Sequence, residues 1–73
     1  MINKLELQKA MLEAGMSQRK LAKVMNKSPN TIGAWVNGKA FPDTREVSEM
    51  CSILGITSPE RKCQIFFGEV SPN

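Results

Sequence analysis

Stop and start signals cut this chain into short pieces, and that punctuation limits its possible folds more than any other feature. Gly15, Asn26, Gly38 and Gly55 each follow a run of apolar residues at helical steps. Glycine and asparagine tolerate the left-handed backbone with which helices commonly end. Ser17, Ser28-Pro29 and Ser58-Pro59 carry the opposite signal. Each offers a capping hydroxyl, and two of the three follow it with a proline, which suits the first helical turn.

The intervals read as five helices. Residues 3–14 place Leu7, Ala10, Met11 and Ala14 on one side of the first, with Leu5 and Leu12 on another side, where a later element is expected to meet them. The second runs from Gln18 to Met25 with Leu21, Ala22 and Met25 inward, and the third runs from Pro29 to around Asn37. "PDTREVSEMCSILG" forms the fourth, with Val47, Met50, Cys51 and Leu54 inward; a short fifth holds Cys63, Ile65, Phe66 and Phe67. Strand-like alternation is missing throughout. The expectation is an all-α, compact five-helix bundle, one domain over residues 1–67 with a loose tail at 68–73.

At 73 residues and 41% hydrophobic content, nearly every apolar position is needed for folding, so no deep catalytic cavity is expected. The chain has no His and no Tyr, and no nucleophile has a neighbouring base, which argues against an enzyme. Cys51 and Cys63 do not have metal-ligand spacing, and both read as small reduced core residues. No apolar run approaches the roughly 18 residues of a membrane span, and a cytoplasmic protein without metal, cofactor or small-molecule ligand is expected.

Charge is unevenly distributed. Residues 1–40 hold seven basic and two acidic groups (+5), and residues 41–73 hold three and five (−2). The block "SQRKLAKVMNKSPNTIGAWVNGK", Ser17 to Lys39, carries five Lys or Arg and no acid. A localised positive field suits a polyanion. On a helical wheel Ile32, Trp35 and Val36 of the third helix fall in one sector, and Asn30, Gly33, Ala34 and Asn37 fall in the opposite one. That small, acid-free face can approach a flat polar surface closely. An Asn can hydrogen-bond the adenine edge in a major groove, and Ala34 can meet a thymine methyl. The N-terminus of the second helix, at Gln18, offers N–H groups to a phosphate, Lys27 and Lys39 flank the third helix, and the short "NKS" turn forces a steep crossing.

From Gln18 to Asn37 the chain resembles the helix-turn-helix of the lambda-repressor and Cro class, also called the xenobiotic-response-element class. Gln18, Leu21-Ala22, Asn26, Ile32, Trp35 and "NGK" carry the resemblance, which extends over most of residues 4–57. It implies a sequence-specific regulator of double-stranded operator DNA, of the short phage or prophage Cro-like kind, repressing by operator occupancy as a homodimer and leaving no room for a second domain. By position, Asn30, Thr31, Gly33 and Ala34 are expected at base edges, and Ser17, Gln18, Arg19, Lys27, Ser28, Asn37 and Lys39 at the DNA backbone. Pro29 stands where relatives often read a base, usually through Gln. Many relatives carry a buried Arg and Glu pair where this chain has Met11 and Val36, which are expected to pack on each other.

Three questions stay open at this level. Gly33 costs about 1 kcal/mol in a helix relative to alanine, and either permits a close approach or is a tolerated accident. Ile65, Phe66 and Phe67 either close the bundle, some packing onto Leu5 and Leu12, or leave a surface for a dimer partner. A protein-interaction module, antitoxin-like or adaptor, remains the alternative function, and an RNA-binding module is a more remote one.

Overall fold

A computed structural model describes residues 2–67, so the expected tail at 68–73 lies outside the described residues. Five helices appear in order: α1 Lys4–Glu13, α2 Gln18–Met25, α3 Pro29–Val36, α4 Thr44–Leu54 and α5 Pro59–Phe66. No strand occurs among the described residues. The punctuation acts as its chemistry requires. Ser17, Ser28 and Ser58 each accept, through the side chain, the backbone N–H of the third helical residue. Gly15, Gly38 and Gly55 have φ of 68°, 75° and 72°, and Asn26 has φ 59°.

Two caps escaped the sequence reading. Asn3 Oδ1 accepts the Glu6 N–H and starts α1. Asp43 and Glu46 form a reciprocal capping box on α4, in which Asp43 Oδ1 accepts the Glu46 N–H and Glu46 Oε1 accepts the Asp43 N–H, both at 2.8 Å.

A single core lies between the helices. Leu7, Ala10 and Met11 enter it from α1, Leu21, Ala22 and Met25 from α2, Ile32, Trp35 and Val36 from α3, and Met50, Cys51 and Leu54 from α4. Met11 and Val36 are both buried in this cluster, where the resemblance led one to expect an apolar substitute for an ion pair. Val47 packs against it partly exposed. Ile2, Pro42 and Ile56, outside the helices, are buried too.

Three expectations need correcting. Leu5 and Leu12 are 75% and 81% exposed, and no helix covers them. They share one line on α1, about 200° from Leu7, and a bundle this small packs against one side of that helix only. Ile65 and Phe66 are fully buried and close the core from α5, so they are unavailable to a dimer partner; Phe67 alone of the three remains half-exposed, its ring 6.0 Å from that of Phe41. Cys63 lies on the outer side of α5 and is exposed, whereas Cys51 is buried and burial raises its thiol pKa.

α5 is fastened to α1 at both ends. The Asn3 N–H donates to the Ile65 carbonyl at 2.7 Å, and Arg61 pairs with Glu13 at 2.6 Å. α2 and α3, which carry the acid-free block, pack on the same core as α1 and α5.

Candidate nucleic-acid interface

The site is built on the crossing of α2 and α3. Asn26 in the left-handed conformation turns the chain after α2, and the Lys27 N–H closes that turn by donating to the Ala22 carbonyl at 2.8 Å. Ser28 then starts α3, so only residues 26–28 separate the two helices. With Ile32, Trp35 and Val36 drawn into the core, the opposite side of α3 must face out.

That outer side and the start of α2 form one shallow depression. It is lined by Gln18 from α2, by Pro29, Asn30, Gly33, Ala34 and Asn37, and by Lys39 just beyond α3. Asn30, Asn37 and Lys39 are exposed, and Gly33 and Ala34 are half-exposed. No acidic side chain lines it. Three of the four residues expected at base edges and three of the seven expected at phosphates therefore meet in one concave surface.

The other expected residues lie outside the depression. The Thr31 hydroxyl is 3.0 Å from that of Ser28, and Ser28 Oγ also accepts the Thr31 N–H at 3.2 Å, so both side chains are held by the cap of α3. Ser17 Oγ accepts the Lys20 N–H at 3.0 Å, which leaves the N–H groups of Gln18 and Arg19 without a hydrogen bond among the described residues. Two such groups at the positive end of a helix suit an oxyanion. Asn37 Nδ2 donates to the Gly33 carbonyl at 2.9 Å, which holds the amide against the helix and leaves its oxygen and second N–H for another partner.

Lys27 stands on a different surface. Its Nζ is 2.6 Å from Glu46 Oε2, and around it lie Asp43, Arg45 and Glu49. The hydrogen bond and charge of Glu46 raise the Lys27 pKa, and Lys27 together with the Asp43 N–H holds the Glu46 carboxyl below the usual range. The expectation of an open phosphate contact at Lys27 gives way to an internal pair. Glu46 is a residue that local reasoning missed, because the turn and α4 meet only in the folded chain. Arg19, Lys20, Lys23 and Lys39 are exposed, and none joins an ion pair among the described residues.

Gly33 sits where α2 and α3 meet. A Cβ placed on it would encounter nothing nearer than Gln18 Oε1, at 3.4 Å. Internal packing therefore does not require a glycine at this position.

A five-helix domain whose second and third helices cross over a three-residue turn, with an exposed acid-free face on the third, is a helix-turn-helix domain. The comparison with known families agrees: the chain matches the helix-turn-helix family over residues 7–61, well over half its length, and belongs to it. This is a family of DNA-binding transcription regulators. The chain is similar to multiprotein-bridging factor 1c of Arabidopsis thaliana, 40% identical over 53 residues that make up 73% of this chain and 36% of that protein. It thus spans about a third of that relative's length. No solved structure gives a significant match. Among the described residues no helix is long and apolar enough to cross a membrane.

Proposed function

We propose that this domain is a sequence-specific regulator of transcription that lays α3 in the major groove of double-stranded operator DNA in the cytoplasm, and represses in the Cro-like manner by occupying the operator. The observation that carries this is the acid-free depression on the outer side of α3, shared by Gln18, Asn30, Gly33, Ala34, Asn37 and Lys39. Asn30 offers a donor and an acceptor to an adenine edge, and Ala34 offers a methyl to thymine. Gln18, Arg19, Ser17, Ser28, Asn37 and Lys39 hold phosphates on either side. Proline at 29 and glycine at 33 bring few base-specific groups, which assigns much of the selectivity to duplex shape.

One copy reads few bases, so binding as a homodimer on half-sites about 34 Å apart completes the proposal. Phe67 and Phe41 are the aromatic side chains exposed for contact between the copies. Selection of bound sequences from random duplex DNA, at stated salt, tests the reading. A symmetric enriched site supports it; no enrichment, together with salt-insensitive binding, refutes it.

A second reading has its own support. Leu5 and Leu12 form an uncovered apolar line on α1, and the similar plant protein is named a bridging factor. In that reading the domain is an adaptor that binds another protein.

A further inference from the structure

Glu46 is restrained before it meets Lys27. Its Oε1 accepts the Asp43 N–H at 2.8 Å within the capping box, which leaves Oε2 directed at the Lys27 ammonium, 2.6 Å away. An exposed ion pair is ordinarily weakened because two long side chains must give up their freedom to form it. Here the cap of α4 has already immobilised one of them. Lys27 is restrained at its backbone, by its hydrogen bond to Ala22, and the two side chains are only 34% and 20% exposed. Lys27 also lies directly ahead of Ser28, the N-cap of α3, which the proposed function sets against a phosphate.

We propose that Glu46 sets the DNA affinity of this domain by withholding the Lys27 charge from the phosphates. The inference rests on the DNA-binding reading above. A duplex then meets Arg19, Lys39 and the open N–H groups of α2 with one cation fewer than the basic block contains. Glu46 is a positioning residue: it touches no nucleic acid and acts through Lys27.

Glu46→Gln isolates the effect, since glutamine keeps the capping box and loses the charge. The readout is the affinity of the full chain for a short mixed-sequence duplex, measured against salt concentration. Releasing Lys27 to a phosphate steepens the logarithmic salt slope by about 0.9, an extra 3- to 4-fold loss of affinity between about 50 and 200 mM salt. Lys27→Met alone leaves the wild-type slope unchanged, and added to Glu46→Gln it restores that slope. Glu49→Gln makes the same change in net charge on the same helix but frees no cation, and its slope stays at the wild-type value. A wild-type slope for folded Glu46→Gln, or a slope flattened by about 0.9 in Lys27→Met, overturns the inference while leaving DNA binding intact. Should Glu46→Gln fail to fold, a slope flattened by about 0.9 in Lys27→Met still overturns the inference. Absence of salt-dependent binding by the wild type refutes the DNA reading and this inference together.

Discussion

Replacing Gly33 with alanine should move stability and DNA affinity in opposite directions. Gly33 lies inside α3 and is not among the glycines with positive φ, so alanine fits its backbone. The added methyl meets only Gln18 Oε1, at 3.4 Å, the far end of a flexible side chain on an exposed residue. The helix therefore gains close to the full difference in propensity, about 0.8–1 kcal/mol. For a domain of this size that raises the melting temperature by roughly 4–8 °C. The same methyl projects into the depression formed by Gln18, Asn30, Ala34 and Asn37, the surface assigned to the duplex. Overfilling a close contact costs about 1–3 kcal/mol, which corresponds to a roughly 5- to 150-fold weaker complex. Thermal denaturation followed by circular dichroism gives the first quantity, and fluorescence anisotropy of an enriched duplex gives the second. A less stable protein would show that the packing around Gly33 has been misread. A more stable protein with unchanged affinity would show that α3 does not approach DNA at this point.

Other substitutions probe the frame around the site. Asn26→Ala puts a side chain with no local hydrogen bond into a left-handed conformation and should cost about 1 kcal/mol in urea denaturation; no loss would mean the turn relaxes. Phe66→Ala should cost about 3–5 kcal/mol, being fully buried, whereas Phe67→Ser should keep the monomer folded and lower dimer content in sedimentation with DNA if Phe67 joins a partner. Because the folded Glu46 pKa is depressed, the stability that the Lys27 pair adds is present above the unfolded Glu value of about 4.3 and is lost as pH falls through the lower folded value. On the alkaline side the raised Lys27 pKa means the contribution is complete below about 10.4 and disappears as pH rises through the folded value. Glu46→Gln should flatten the acid limb of a stability profile, and an unaltered limb would show that the pair adds nothing.

The helices and the outward side of α3 were legible in the sequence because both rest on local rules. Ser17, Ser28-Pro29 and Asn26 name the ends of α2 and α3 within a few residues, and the apolar steps of Ile32, Trp35 and Val36 settle which side of α3 faces out. Once the inner side is known, the positions of Asn30, Ala34 and Asn37 follow from helical geometry. The Asp43 and Glu46 spacing also spelled a capping box and could have been read from the residues alone.

Apart from the two local caps, Asn3 and Asp43, most of what escaped depended on contacts between distant segments. Nothing near Lys27 in the chain indicates that the start of α4 will bring Glu46 within 2.6 Å of it. The apolar character of Leu5 and Leu12 gave the wrong impression for the same reason: periodicity identifies two apolar sides on α1, but only the docking of α5 through Ile65 and Phe66 decides which is covered. Cys63 was misassigned because a short helix with two large inward residues has no room for a third on that side.

If the outer side of α3 receives the duplex, nuclear magnetic resonance titration shows it without altering a residue. With uniformly nitrogen-15-labelled protein and an enriched duplex, the largest shifts are expected at the amides of Gln18, Arg19, Gly33 and Ala34 and at the amides and side chains of Asn30 and Asn37, with Leu5 little changed. Shifts centred on α1, with those α3 signals unmoved, would contradict it.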